Sequence, residues 1–129
     1  MNDLFQTLSL STSGMQAQAT RLRHVSENIA NADTPGFRRK TISFETALRG
    51  PVDGMVEVGK VRLDQSALVQ VFDPDHPLAD ASGNYEGSNV DLIIEIADAR
   101  EAQRSYEANL KVFDQARQMS QGLIDLLRR

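Results

Sequence analysis

Apolar residues recur at helical spacing along both ends of the chain, and the middle alternates. From Asn89 to Arg129, Leu92, Ile96, Ala99, Tyr106, Leu110, Phe113, Ala116, Met119, Leu123 and Leu127 return at steps of three, four or seven. That is the period of a helix with one buried face. No Gly or Pro interrupts the run before Gly122. Such a helix spans roughly 55 Å at 1.5 Å per residue, more than a globule of this size covers alone. The other end of the chain is its first candidate partner. Leu8, Met15, Leu22 and Ile29 sit seven apart, with Leu4 and Val25 on the intervening positions and Ser11 and Gln18 filling the rest. The pattern predicts a helix from residue 3 to about 31, with a half-polar seam that suits a partner helix better than an autonomous coiled coil. Gly14 predicts a bend or a close contact, and Ala17, Ala19 and Ala30 permit a second helix to approach.

The first helix stops at Asn28-Ile29-Ala30-Asn31-Ala32-Asp33-Thr34-Pro35-Gly36-Phe37. Pro35 disfavours helical geometry at Thr34, and Pro-Gly fits the centre of a type II turn. Asn31 suits a left-handed conformation or a bond back to its own backbone. Beyond the turn the period changes to two. Ile42 and Phe44 alternate with polar neighbours, Met55–Val58 and Val61–Leu63 alternate around Gly59-Lys60, and Leu68–Phe72 makes a further short run. This predicts three or four strands with a two-residue hairpin at Gly59-Lys60 and turns at Gly50-Pro51 and Asp53-Gly54. Asp73 to Asn89 reads as a polar loop, and Ser88-Asn89 or Asp91 as the cap of the last helix. Leu92, Ile93, Ile94 and Ile96 point around most of that helix, so its first turns are expected to be buried on more than one side.

The fold class that follows is mainly α with a small β insert. Long terminal helices pair antiparallel as a coiled-coil-like unit, residues 1–36 and 89–129, around a β-rich insert and loop at 37–88. Such an insert is too small to stand alone. Long helices of this kind are marginal by themselves, so ordering on assembly is expected.

Composition narrows the chemistry. The 129 residues are 40% hydrophobic but only 5% aromatic, with no Trp, which favours extended helical packing over one dense core. The formal charge is −4. Residues 61–91 hold one base, Arg62, against six acids, a net of −5. The run Arg38-Arg39-Lys40 reads as a solvated corner, so no nucleic acid is expected. There are no cysteines, which removes disulfides and thiolate metal sites. Asp3 stands where a cleavable signal carries bases, and no stretch is apolar enough to insert in a membrane.

Enzyme signatures are missing: there is no GxGxxG, Walker A or GxSxG pattern. His24 and His76 lie far apart, and His24 reads as a surface or edge residue. Asp73-Pro74-Asp75 opens like a calcium loop, but Pro77 and Leu78 stand where an oxygen ligand and a Gly belong. The sequence points to no enzyme, no cofactor and no metal.

The turn Asn28–Arg39 closely resembles the N-terminal signature of the bacterial flagellar rod and hook proteins. Ser105-Tyr106-Glu107-Ala108-Asn109-Leu110-Lys111-Val112-Phe113 resembles the C-terminal partner signature, and Ser88-Asn89-Val90-Asp91-Leu92 its lead-in. The short insert, the loop Phe72–Gly83 and Tyr106–Asn109 resemble the proximal rod branch. The stretch Leu92-Ile93-Ile94-Glu95-Ile96 departs from it, since more acidic residues and a methionine are common there.

The resemblance implies a structural subunit of the proximal rod of the flagellar basal body, in the periplasmic span, exported without a cleaved signal through the flagellar type III apparatus. It implies copies of the chain itself, proximal and distal rod proteins, and the inner-membrane ring and rod-base proteins as partners. Leu8, Met15, Leu22 and Ile29 would bury against Leu92, Ile96, Tyr106, Leu110, Phe113, Leu123 and Leu127, within the subunit and between subunits. Asn28, Asn31, Thr34, Pro35, Gly36 and Phe37 would form the family turn, with Asn side chains and Phe37 reaching neighbours. Ser105, Tyr106, Ala108 and Asn109 would form the C-terminal motif. Two alternatives stay open: a sibling rod subunit at another axial position, and a soluble helical adaptor or export chaperone for rod proteins.

Overall fold

The computed structural model describes residues 2–47 and 53–128; the expected Gly50-Pro51 turn lies outside them. Among the described residues two long helices, α1 (Asn2–Ala30) and α2 (Leu92–Leu127), enclose six short strands. At 29 and 36 residues the helices run about 43 and 54 Å. The strands are β1 (Lys40–Thr41), β2 (Phe44–Thr46), β3 (Val56–Val58), β4 (Arg62–Leu63), β5 (Gln70–Phe72) and β6 (Asn84–Glu86).

The helices lie side by side and antiparallel. Gly14 faces Asn109, Arg21 bonds Asp98 and Asn28 bonds Glu95, so one number climbs as the other falls. A Cβ at Gly14 would stand 2.9 Å from the Asn109 amide, so the predicted close contact at that glycine is present. On α2 the seam is Glu95, Ala102, Asn109 and Ala116, seven apart; Glu95, Ala102 and Ala116 are buried. On α1 it is Gly14, Arg21 and Asn28, with buried Ser11 and Val25 between the same turns.

The heptad is real but its phase differs from the one expected. Leu8, Met15 and Leu22 sit one position along and are half-buried, and Ile29 is exposed. Leu92, Ile96, Tyr106, Leu110, Leu123 and Leu127 lie toward solvent, and Phe113 is half-buried. The physical reason is the size of the seam residues. Gly, Ala, Ser and Asn let the backbones approach closely, which displaces large side chains to the flanks. The turn at Leu92–Ile96, expected to be buried on several sides, buries only Glu95; Ile93 is 81% exposed.

The insert is a bent arm and a lobe. β1 pairs with β4 and β2 with β3, both antiparallel. The register gains one residue on the return strand between the two pairings, and the Gly59 amide donates to the Ser43 carbonyl at 2.8 Å. Gly59-Lys60 therefore makes a β-bulge, not the expected hairpin turn. The better-matched partner of both short runs is the strand pair at 40–46. The arm folds back along α1: the Val56 amide donates to Ser13 Oγ at 3.1 Å, and Gly54 lies beside Leu10. β5, within the expected Leu68–Phe72 strand, pairs with β6 in a separate lobe; β6 lies where a plain loop was expected.

Each helix end follows its local chemistry. Phe37 N–H donates to the Thr34 carbonyl at 3.1 Å with Gly36 at φ +75°, the expected type II turn. Asn31 bonds back to the Glu27 carbonyl at 2.8 Å rather than turning left-handed. Asp91 caps α2 by accepting from the Ile93 amide at 3.0 Å.

Candidate assembly interface

Among the described residues the largest fully buried side chains are Glu95 and Asn28, 0% and 1% exposed. Buried apolar side chains are Ala17, Val25, Ala102 and Ala116, too little to form an ordinary core. Polar bonds at one end of the helix pair hold the chain together instead.

Asn28 acts there as a substitute strand. Its Oδ1 accepts from the Lys40 amide at 2.8 Å, and its Nδ2 donates to the Lys40 carbonyl at 3.0 Å and to Glu95 at 3.3 Å. Arg39 Nε donates to Glu95 at 2.6 Å and its Nη1 to Asp64 at 3.4 Å. Asn89 accepts from the Arg39 amide at 2.7 Å and donates to the Asp64 carbonyl at 2.9 Å. Lys40 Nζ bonds Glu27 at 2.8 Å. One cluster thus ties together the end of α1, both strands of the arm and the start of α2. Arg39 and Lys40 face carboxylates, which corrects the reading of their run as a solvated corner.

The electrostatics are consistent with this closure. Burial works against the Arg39 guanidinium, but the hydrogen bond and charge of Glu95, with Asp64 behind, more than offset it and hold Arg39 above its ordinary value. Hydrogen bonds from Ser66, backbone first, hold Asp64 below the usual carboxylate range. The Lys40 hydrogen bond does the same for Glu27. His24, expected at the surface, is 8% exposed beneath the arm; among the described residues neither ring nitrogen makes a hydrogen bond, and Nδ1 lies 3.6 Å from the Glu27 carboxylate.

The expected motif residues divide into two groups. Asn28 is spent inside the chain, and Asn31 bonds Glu27 and Thr34. Gly36 N–H reaches the Glu86 and Gly87 carbonyls at 3.2 and 3.0 Å, and the Phe37 carbonyl accepts from the Asn89 amide. Pro35 and Phe37 are half-buried and Thr34 is exposed. The turn thus docks against the lobe and the α2 lead-in of its own chain. In the C-terminal motif, Asn109 packs on Gly14 and donates to the Ser105 carbonyl at 3.0 Å, whereas Tyr106 and Ala108 face outward. Sequence reasoning missed Glu95, Arg39, Asp64 and Asn89. The available signal was Glu95 itself, a lone acid inside Leu92–Ile96.

The large apolar residues are left outside. Phe5, Leu92, Ile93, Ile94, Ile96 and Leu110 are exposed on the helices, and Phe72 and Leu78 on the lobe. The antiparallel register ends α1 opposite about position 120 of α2, so the last turns of α2 overhang it. Leu123, Ile124, Leu126 and Leu127 are all exposed there, Leu127 at 82%. The whole chain exposes 9107 Å², about a third more than the roughly 6,800 Å² of a compact monomer of its mass. The surplus is of the size that obligate interfaces bury.

Paired terminal helices, a polar lock at one end and bare apolar flanks define a class of helical-hairpin subunit with much of its apolar surface uncovered. Residues 8–38 match the family model "Flagella basal body rod protein", and residues 81–126 match "Flagellar basal body rod FlgEFG protein C-terminal". The chain is 45% identical to the flagellar basal-body rod protein FlgC of Agrobacterium fabrum, over 99% of this chain and 98% of that one. It is 37% identical to the FlgC of Aquifex aeolicus, over 88% and 89%. With the FlgC of Salmonella typhimurium it shares 33% identity over 90% and 92%. The chain belongs to the FlgC family of flagellar basal-body rod proteins.

Proposed function

We propose that the chain is a structural subunit of the proximal rod of the bacterial flagellar basal body. It polymerises through its terminal helices into the axial shaft that transmits torque for motility. The observation that carries this reading is the mismatch between lock and surface. The subunit is closed by hydrogen bonds and small residues, and among the described residues more of its large apolar side chains are exposed than covered. A contact between different faces of successive copies builds a helical stack rather than a closed dimer.

In this reading residues 1–36 and 89–129 form the assembly unit, and 37–88 is the insert it carries. Its partners are copies of itself, the other proximal and distal rod proteins, the inner-membrane ring and rod-base proteins, and the type III export apparatus. The rod lies in the periplasmic span, reached without a cleaved signal. Export of an unfolded chain is helped by marginal stability, because assembly then supplies the missing burial. The test is fractionation of cells carrying a tagged chain, with motility of a deletion strain beside it. The tagged chain should co-purify with detergent-extracted basal bodies, and deletion should abolish swimming. A tagged chain that stays in the cytoplasm and is absent from basal bodies would instead support the chaperone reading.

A further inference from the structure

Two exposed surfaces of the chain complement each other in charge. The first is the tip of the β5/β6 lobe. Phe72 is 70% exposed, with the edge of its ring against Gly83: a Cβ there would stand 2.9 Å from Phe72 Cε2 and 3.0 Å from Pro74 Cγ. His76 stacks on Tyr85 at 3.9 Å, and the Asp80 carboxylate accepts from the Ser82 and Asn84 amides at 2.9 and 3.0 Å. The loop is therefore a preorganised support for an exposed aromatic ring, which lowers the cost of binding. Asp73 and Asp75 follow that ring, and neither pairs with a cation among the described residues.

The second surface is the outer face of the first turns of α2. Ile93, Ile96, Ala97, Arg100, Glu101 and Arg104 line a groove of about 450 Å³. Arg100 and Arg104 stand four apart on one face and make no ion pair among the described residues. The floor of Ile93, Ile96 and Ala97 is rimmed by two cations, Arg100 and Arg104, against one anion, Glu101, a net positive rim opposite the anionic rim of the aromatic tip. Phe72 and Ile93 are both exposed, so the two surfaces do not meet within one chain.

Building on the rod reading, we infer that Phe72 of one copy seats in the Ile93–Arg104 groove of a second copy, with Asp73 and Asp75 facing Arg100 and Arg104. An aromatic anchor in a groove rimmed by Arg is the composition of an interface hot spot. The two surfaces differ, so the contact is heterologous and repeats from copy to copy.

The absence of native cysteines permits a clean crosslinking test. Asp75→Cys with Arg104→Cys should give covalent dimers and higher multimers in oxidised basal bodies, and neither single substitution should. Basal bodies that contain the double variant only as monomer would overturn the contact. Charge exchange gives a second test. Asp73→Lys with Asp75→Lys should lower incorporation into basal bodies by roughly tenfold, and adding Arg100→Glu with Arg104→Glu should restore most of it. No loss, or a loss without restoration, would overturn the contact even if the crosslinking variant failed to assemble. Absence of the unsubstituted chain from basal bodies would overturn the rod reading itself, and this contact with it.

Discussion

Asn28 and Glu95 occupy the positions that large apolar residues hold in most small domains, and their removal has calculable consequences. Asn28→Ala leaves the Lys40 amide and carbonyl without partners and should cost about 2–3 kcal/mol. Glu95→Ala leaves the half-buried Arg39 facing no carboxylate on α2 and should cost about 3 kcal/mol. Both are read from urea melts followed by helix signal; a loss under 0.5 kcal/mol for either would contradict the lock. Gly14 offers a sharper test, since a Cβ there meets the Asn109 amide at 2.9 Å. Gly14→Val should destabilise the helix pair. With Asn109→Ala clearing the space, Gly14→Ala should instead stabilise by up to about 1 kcal/mol, the helix preference of Ala over Gly. The pH dependence follows from Glu27 and Asp64. Both carboxyls are held below their ordinary range when folded, so acid protonates the unfolded chain first. Their stabilisation is complete well above pH ~4 and fades as pH falls through and below it. The urea midpoint should therefore drop over that window. Asp64→Asn with Glu27→Gln should flatten the drop, and an unchanged slope would speak against these interactions. At this scale the sequence was readable in period but not in phase. A heptad of Leu8, Met15, Leu22 and Ile29 attracts attention by its size, while Gly14, Arg21 and Asn28 define the seam one position earlier.

The helices were the most legible elements, because the 3.6 period extends over many turns and the Asn31–Phe37 stop and the Asp91 cap have definite chemistry. The strands were less legible. The register of two- and three-residue strands is set by docking onto α1, as at Ser13 and Val56, not by their own alternation. Gly59-Lys60 resembles a hairpin turn from sequence and becomes a bulge only because 40–46 lies alongside. β6, Asn84-Tyr85-Glu86, lacks apolar alternation, and its partner β5 lies beyond a loop of eleven residues. The overhanging end of α2 carries a prediction of its own. Leu123→Ser with Leu127→Ser should leave the melt of the free chain within about 0.5 kcal/mol, since both are exposed, yet reduce incorporation into basal bodies several-fold. Equal damage to the free chain and to assembly would mean that these turns serve the subunit alone.

For the molecule as a whole, a polar and small-residue seam with exposed apolar flanks inverts the usual arrangement, and the proposed rod assembly is the setting in which those flanks would be covered. The family was legible because its two signatures fall on segments whose local chemistry is strong. The distribution of burial was not legible, because a stripe of Leu and Ile has the same period whether it faces its own partner helix or a neighbouring subunit. The central claim is that the flanks left bare in one chain are covered by other subunits of the rod. Oxidative side-chain footprinting of the free chain and of isolated basal bodies tests it most directly. Leu92, Ile96, Leu110 and Leu123 should react readily in the free chain and become several-fold protected in the basal body. Equal reactivity of these four residues in both states would contradict the account.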